Sequence, residues 1–374
     1  MRRVLPLLAL TVAATQAACG DPVVVLGDSP GYMRVVIGVG DSIGTRVDSL
    51  ATRTRLTEPG AVAFDAGTGT LYVADRGSQR QIDGISTRVA RIFAVSSAGR
   101  LRLLLNTGGC AASSVCLTEP TAMALAADGT LLIADGASHR LFRFAPAGGS
   151  LTVVAGTGTA GASPDGTPAA QASLRRPAGV AVGADGSIYI AEETGHQVRR
   201  IGADGIIRTV AGSGAANHSG DGGPALAAGI ALPTGLALHG AQLYVAEAGA
   251  HTVRRIELGS GTIETVAGNQ LQGFSGDGGP ALQASLSVPQ ALAVTPSGST
   301  LYISDRENHR VRMVSLATGV IATYAGNGST VFSGNRQPAG AASLRSPRGL
   351  AAGGSFLYIA DPAMHVVWRA TIAL

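Results

Sequence analysis

The sequence predicts an all-β protein, a six-bladed β-propeller in which every blade is a four-stranded sheet. Two patterns and one feature of the composition lead to this prediction. A repeat with a spacing of 56 to 61 residues occurs six times, each copy carries short β-rich runs, and 53 of the 374 residues are glycine. Four short strands repeated at this period are typical of propeller blades, which pack around a central channel.

Each repeat begins at a proline, followed by small and apolar residues such as those at 177–182. The second run, as at 188–192, ends on an acid, the third contains Val-Arg-Arg-Ile at 198–201, and the fourth ends in Thr-Val-Ala-Gly at 209–212. The runs are almost continuous in Val, Ile, Leu and Ala, so we expect neighbouring blades to cover both faces of each sheet. A parallel β-solenoid would repeat at a far shorter period. The six prolines are Pro59, Pro120, Pro177, Pro233, Pro289 and Pro347.

The two ends of the chain predict how the ring closes. The sixth repeat supplies three runs and lacks the fourth, whereas residues 35–40 align position by position with residues 209–214. An N-terminal strand in the last blade would remove two free sheet edges and tie the chain ends together. We therefore expect one propeller domain over residues 33–374, in a monomer.

The first residues have the order of an export signal. Met1-Arg2-Arg3 precede an apolar run at 4–14 and small residues up to Cys19. We expect a signal peptide over residues 1–18, a linker over 19–32, and a protein exported to the periplasm or cell surface. Cys19 is a candidate for lipidation and membrane anchoring, and the alternative is cleavage nearby with Cys19 left over.

Composition and charge exclude two classes of protein. With 45% apolar and 14% charged residues, the chain can bury a large core and is not disordered. Removing Arg2 and Arg3 with the signal leaves 26 basic and 24 acidic residues, a balance of +2. A net charge this small does not attract the phosphate backbone of a nucleic acid, so we expect no nucleic-acid partner.

Several motifs together resemble a known repeat family. A Ser-Gly-Asp-Gly-Gly-Pro-Ala loop occurs at 219–225 and 275–281, next to Thr-Val-Ala-Gly strands and an Ile-Ser-Asp strand that precedes Asn308-His309-Arg310. This pattern resembles the NHL-repeat β-propellers of bacterial extracytoplasmic proteins over roughly residues 33–374. The resemblance implies the propeller fold and leaves the function open, because propellers carry unrelated activities.

One polar residue occupies an equivalent position in four of the long loops between blades, the first long loop being the exception. These residues are Asp165, Asp221, Asp277 and Asn335. A calcium site needs six to eight oxygens around one ion, and single carboxylates on separate loops do not converge easily. We therefore expect these side chains to cap turns, where Asp, Asn and Gly are favoured.

A second constellation recurs after the second run. An acid ends that run in every repeat, at Asp75, Asp135, Glu192, Glu247, Asp305 and Asp361, and a histidine follows four residues later in five of them, at His139, His196, His251, His309 and His365. Histidines bind zinc, but one residue per blade is spread around a rim. We expect each histidine to lie near an acid and to bridge adjacent loops by hydrogen bonds without metal, with Gln79 at the matching position of the first repeat. Arginines such as Arg199, Arg200, Arg254, Arg255 and Arg312 are expected to form ion pairs between blades.

Two cysteines fall in the first long loop. Cys110 and Cys116 flank small residues, and in an exported protein such a pair predicts a disulfide.

The expected channel carries little chemistry. The first runs begin with small and apolar residues, and Glu58 and Glu119 alone bring carboxylates towards it. We expect no catalytic residue, no metal site and no cofactor. The leading hypothesis is a non-enzymatic extracytoplasmic binding or scaffold protein that presents its loop-rich face, including the loop Asp/Asn and histidine positions, to a protein, peptide or envelope polymer. The alternative is a metal-dependent propeller hydrolase or lyase, lactonase-like or amidating-lyase-like, with a divergent site.

Overall fold

The structure is a computed structural model that describes residues 31–38, 51–77, 79–82, 85–107 and 115–372. Six antiparallel sheets follow one another along the chain, each with the strand nearest the channel first in sequence. This is the predicted six-bladed propeller. The predicted signal peptide, Cys19 and Cys110 lie outside the described residues, so the lipidation and the bond between Cys110 and Cys116 stay predictions.

The blades are numbered in chain order, and their strands from the channel outwards. Blade 1 consists of Pro59–Asp65, Thr70–Asp75, Arg91–Val95 and Leu101–Asn106. Blade 2 consists of Pro120–Leu125, Leu131–Asp135, Arg140–Ala145 and Ser150–Ala155. Blade 3 consists of Pro177–Val182, Ile188–Glu192, Gln197–Ile201 and Ile206–Ala211. Blade 4 consists of Pro233–His239, Gln242–Glu247, Thr252–Glu257 and Thr262–Ala267. Blade 5 consists of Pro289–Val294, Thr300–Asp305, Arg310–Ser315 and Ile321–Ala325.

Blade 6 closes the ring. Its first three strands are Gly349–Gly353, Phe356–Asp361 and Val366–Thr371, and the fourth is the N-terminal strand Tyr32–Ile37. Val35 lies opposite Trp368 in the antiparallel pairing. The closure predicted from the alignment is therefore confirmed over the described residues, with the strand beginning one residue before the expected boundary.

Several short strands and 3-10 helices lie outside the four-stranded blades. Thr167–Pro168 and Gln337–Pro338 add a fifth strand to blades 3 and 6, and the hairpin Gln79–Ile82 and Ile85–Arg88 interrupts blade 1 between its second and third strands. The single-turn 3-10 helices are Ala51–Arg53, Ala169–Gln171, Glu193–Gly195, Ala225–Ala227, Ala281–Gln283, Arg306–Asn308, Ala339–Ala341 and Pro362–Met364. Among the described residues, no helix combines the length and apolar character needed to cross a membrane.

The hydrophobic core lies between the blades. Tyr189 and Val198 of blade 3, for example, pack in one buried cluster with Leu236 and Val245 of blade 4. Small residues let the first strands approach one another at the channel, because a Cβ on Gly235 would lie 2.6 Å from the carbonyl oxygen of Gln290. This packing fixes six strand ends around one channel mouth.

Candidate functional site

The five recurrent histidines stand between neighbouring blades. Each has a left-handed backbone with φ between 53° and 59° and directly precedes a third strand. The Nδ1 atom of His139 accepts a hydrogen bond from the backbone N–H of Arg176 at 3.2 Å, and His251 accepts one from Val288 at 3.2 Å. Both donors directly precede the first strand of the next blade.

The other histidines make the same kind of bridge. His196 Nδ1 accepts from the N–H of Leu232 at 3.3 Å, and His309 Nδ1 lies 2.7 Å from the carbonyl oxygen of Arg345. His365 Nδ1 contacts the carbonyl oxygen of Thr57 and so bridges blade 6 to blade 1. Within the described part of the chain, no three His, Cys, Asp or Glu side chains form a group that could hold a metal ion.

One expectation about this ring is corrected. Each histidine bonds a backbone group of the next blade's entry segment, and for His309 and His365 the same residue also donates its N–H to the strand-end acid of that blade. Gln79 lies in the inserted hairpin, and Ala90 is the residue that directly precedes the third strand of blade 1. The hairpin is inserted between Asp75 and the third strand of blade 1, so the residue four positions after Asp75 is not the structural equivalent of the histidines.

The acids that end the second strands clamp the segment entering their own blade. Asp75 accepts hydrogen bonds from the backbone N–H groups of Thr57 and Glu58, and Asp361 accepts from those of Arg345 and Ser346. The same clamp joins Asp135 to the N–H groups of Thr118 and Glu119, Glu192 to that of Arg175, and Asp305 to that of Ser287. Blade 4 differs, because Glu247 instead contacts the imidazole of His218, a residue that sequence reasoning did not single out.

Burial has the largest effect on the pKa of three of these carboxyl groups. Desolvation raises the pKa of Glu192 and Asp361 above their ordinary values, and it raises the pKa of Asp305 to about 6. The side-chain amide of Asn308, the backbone N–H of Ser287 and the guanidinium of Arg312 oppose that shift at Asp305, in this order.

A fully buried arginine connects acid and loop in blades 3, 4 and 5. Arg312 Nη1 lies 3.4 Å from Asp305 Oδ2, and its Nη2 lies 2.7 Å from Asp277 Oδ1. In blade 3, Arg199 lies 3.4 Å from Glu192 and 3.2 Å from Asp165. In blade 4, Arg254 lies 3.5 Å from Glu247 and 2.6 Å from Asp221. The acid–arginine pair thus lies within one blade, and only the loop aspartate comes from the segment that leaves the preceding blade.

Two further arginines correct the expected pattern. Arg200 pairs with Asp185 at 3.2 Å, and Arg255 pairs with Glu257 at 3.0 Å, each inside its own blade and at a partly exposed position. Neither of these pairs connects two blades.

Blade 6 replaces the arginine with an aromatic residue. Trp368 lies opposite Ile359, as Arg312 lies opposite Ile303, and its ring stacks on Phe332 with centroids 5.9 Å apart. The loop residue changes with it: Asn335 Oδ1 accepts a hydrogen bond from the N–H of Val35 at 2.9 Å. The Asp and Asn positions therefore hold the loops onto the blades.

A charged cluster at the channel mouth corrects the expectation of a chemically blank channel. It consists of Arg76, Arg176, Arg306, Arg348, Glu58, Glu119 and Glu193, and we call it the mouth cluster. Its members flank the start of a first strand or the end of a second strand, on the face that carries the long loops. Beneath them lies a cavity of about 190 Å³ lined by small and apolar first-strand residues, among them Val62, Val180 and Leu350.

Most charges of the mouth cluster are paired. Glu119 binds Arg76 and lies 3.1 Å from Arg176, and Arg176 Nε donates to Glu193 at 2.8 Å. Arg76 also lies 3.9 Å from Glu58. These pairs place the negative charges of the cluster in blades 1, 2 and 3.

Arg348 differs from the other arginines of the mouth cluster. Its guanidinium makes no hydrogen bond or ion pair with any described residue, and its Nε is buried. Burial, followed by the nearby charges of Arg76 and Arg306, lowers the pKa of Arg348 to about 10. Arg306 itself donates to Ser346 Oγ at 3.3 Å and pairs with Glu307 at 3.1 Å.

The mouth cluster could have been found by comparing single positions across all six repeats. Glu58, Glu119 and Arg176 directly precede three of the recurrent prolines, whereas Arg348 follows the last of them. At each of these positions a given charge occurs in at most two of the six repeats, so a search for residues that recur in most repeats misses the cluster. The remaining members, each directly after a strand-end acid, are Arg76, Glu193 and Arg306.

Comparisons with known proteins agree with the fold. The family described as Teneurin NHL domain matches residues 147–217. NHL repeat-containing protein 2 of Homo sapiens is 26% identical over 348 residues, which cover 83% of this chain and 46% of that protein. The chain therefore spans about half the length of this relative.

Solved structures are similar in fold at low sequence identity. An auxiliary nutrient binding protein from Bacteroides thetaiotaomicron has a TM-score of 0.63 at 14% identity, with 90% of this chain and 75% of that chain covered. A putative gluconolactonase has a TM-score of 0.55 at 16% identity, with 93% and 96% covered. The chain is thus a six-bladed β-propeller with sequence similarity to NHL-repeat proteins.

Proposed function

We propose that this protein is a non-enzymatic extracytoplasmic binding protein that takes up its ligand at the mouth cluster, on the loop-bearing face of the propeller. One observation carries the proposal: the guanidinium of Arg348 lines the cavity and has no hydrogen-bond or ion-pair partner among the residues that the structure describes. The histidines and loop aspartates of the same face are already engaged in contacts that join loops and blades. Ligand pockets combine an apolar cavity with a few polar groups, as this mouth does.

The chemistry of the cluster favours binding over the alternative of a metal-dependent hydrolase or lyase. A guanidinium remains protonated, accepts no hydrogen bond and ligates no cation, so it orients an anion without acting as a base. Glu119 and Glu193, which could serve as bases or ligands, are held by Arg76 and Arg176. The name of the similar auxiliary nutrient binding protein is in keeping with a binding role.

Binding and turnover are separated by one experiment on the purified full chain. We would measure the melting temperature against a panel of neutral, cationic and anionic small molecules and short peptides, and recover each compound for mass spectrometry. A binding protein is stabilised by a compound that is recovered unchanged. Conversion of a compound by substoichiometric protein, abolished by a chelator, would establish the hydrolase or lyase alternative instead. A panel without any stabilising compound would contradict the binding function.

We also propose that the chain is exported and anchored through Cys19. The proposal rests on the order of basic, apolar and small residues before Cys19. Expression of the full chain in a bacterial host is expected to give a membrane-associated protein, and Cys19→Ser is expected to release it into the soluble envelope fraction. An unchanged distribution of the Cys19→Ser variant would contradict the anchor.

A further inference from the structure

Resting on the proposed binding function, we propose that the mouth cluster recognises a carboxylate attached to an apolar group, and that Arg348 pairs with the carboxylate. The ligand then enters from the loop-bearing face with its apolar part in the channel. The carboxylate belongs either to a small organic acid or to the C-terminus of a peptide, and both sources present the same group to the arginine.

The first support is the distribution of charge around the mouth. Blades 5, 6 and 1 are consecutive and contribute Arg306, Arg348 and Arg76, with Glu58 of blade 1 as their one carboxylate in the cluster. Blades 2 and 3 contribute Glu119, Glu193 and a single cation, Arg176. Arg348 is the middle one of three neighbouring guanidinium groups. Gln290 of blade 5 also lines the cavity, and its side-chain amide makes no hydrogen bond with the described residues. An anion in this cavity would therefore find the guanidinium fork of Arg348, and the amide of Gln290 is a further donor in the lining.

The second support is energetic. Opposite charges make a buried cation favourable, and like charges make it unfavourable. Glu58 and Glu119 compensate Arg348 only in part, because Arg76 and Arg306 and the loss of water act in the opposite direction. A carboxylate bound to Arg348 would supply the missing negative charge through two parallel N–H···O bonds.

The third support concerns the size and the polarity of the cavity. Its volume of about 190 Å³ is larger than a cavity of about 150 Å³ that accepts benzene, so it has room for one branched aliphatic group. Leu236, Leu292 and Leu350 line it, and the hydroxyl of Thr234 already donates to backbone carbonyl groups. A monovalent carboxylate with an apolar substituent fits these walls better than a phosphate dianion, which would bring a second charge towards the glutamates.

The test uses matched pairs of N-acetylated amino acids with apolar side chains and their neutral amides. Binding to the full chain is measured by calorimetry at low salt, with N-acetyl-leucine and N-acetyl-leucinamide as the first pair. We expect the acids to bind at least about tenfold more tightly than the amides, because charge-assisted hydrogen bonds are lost in the amide. Acetylated tripeptides with a free or an amidated C-terminus form a second arm. If the tripeptide with the free C-terminus binds more tightly than the N-acetylated single amino acid, the carboxylate is assigned to a peptide.

Variants separate recognition from folding. Arg348→Gln is expected to reduce the affinity for the acids by about tenfold or more without lowering the melting temperature of the free protein, because Arg348 has no described partner to lose. Arg208→Gln is the control, since Arg208 pairs with Asp204 at an exposed site away from the mouth. This control variant is expected to bind like the wild type.

Each contrary outcome has a defined meaning. Equal binding of acids and amides, unchanged affinity in Arg348→Gln, or tighter binding of inorganic phosphate than of any acid would overturn the carboxylate inference. If neutral compounds stabilise the protein and no carboxylate does, the binding function stands and this inference fails. If no compound of either panel binds, the binding function fails as well.

Discussion

At the scale of single residues, the left-handed histidines depend on a glycine in the neighbouring strand end. His196 has φ 55°, and its carbonyl oxygen faces Gly212, whose own φ is 94°. A Cβ on Gly212 would lie 2.3 Å from that oxygen. The same arrangement recurs at Gly268 with His251 and at Gly326 with His309. Glycine is therefore required here by space as well as by backbone conformation.

This arrangement predicts different costs for two nearby alanine substitutions. Gly212→Ala and Gly214→Ala both place a Cβ on a left-handed backbone, which costs about 1–2 kcal/mol. Gly214 has open space around its Cβ position, whereas Gly212 meets the His196 carbonyl. We expect Gly214→Ala to lose about that amount of unfolding free energy, and Gly212→Ala to lose clearly more, in chemical denaturation. Equal losses would show that the close approach to His196 has no energetic consequence.

The strand-end acids illustrate how a single buried group sets a pH dependence. Burial raises the folded-state pKa of Asp305 to about 6, from an ordinary value of 3.8. Because the folded state holds this proton more tightly, the resulting stability is fully present below pH 3.8 and is lost as the pH rises through about 6.

We therefore expect Asp305→Asn to flatten the dependence of unfolding free energy on pH between these two values. The slope is the quantity to compare, because the variant also leaves Arg312 with one carboxylate fewer and lowers stability at every pH. Urea denaturation of both proteins across this range provides the measurement. A slope identical to that of the wild type would mean that Asp305 titrates near its ordinary pKa in the folded protein.

At the scale of elements, the buried arginine is the link between a strand pair and the loop laid over it. Arg312 is fully buried between Asp305 and Asp277 and also donates to the Ser275 carbonyl at 3.0 Å. Removing one partner of such a group leaves uncompensated buried charge. Blade 6 avoids this risk with Trp368, which needs no partner of opposite charge.

The buried and the exposed pairs therefore predict different results. Arg312→Ala is expected to lose about 3–5 kcal/mol of unfolding free energy, since it removes the buried cation that is paired with the carboxyl groups of Asp305 and Asp277. Arg200→Ala breaks the exposed pair with Asp185 and is expected to lose about 1 kcal/mol or less. Similar losses of unfolding free energy for the two variants in denaturation experiments would contradict the larger contribution of the buried pair.

The same elements show what sequence reasoning could reach. The six prolines and the Thr-Val-Ala-Gly strand ends predicted the blades because every copy must satisfy the same packing. The repeat also revealed the histidine ring, but not its backbone partners, which depend on how neighbouring blades meet. The arginines of the mouth cluster were missed because Arg76, Arg176 and Arg348 occupy different positions in different repeats. Their proximity follows only from closing the ring.

At the scale of the whole molecule, stability depends on a strand that is distant in sequence from the blade it completes. Met33, Val35 and Ile37 are buried, and the strand pairs along Val366–Thr371. Asn335 and Gln337 of the last long loop attach to this strand in turn. Loss of the strand would expose the edge of blade 6 and part of the cluster around Trp368.

Two truncations test this dependence. Deleting residues 1–30 retains the whole closing strand, whereas deleting residues 1–38 removes it. We expect the first variant to melt like the full chain and the second to melt at a clearly lower temperature, because free sheet edges and apolar side chains become exposed. The shift should be measured by calorimetry at several protein concentrations, since an open edge also invites pairing between chains. If the variant lacking residues 1–38 stays monomeric and has the same melting temperature as the variant lacking residues 1–30, the remaining strands hold the ring without the N-terminal strand.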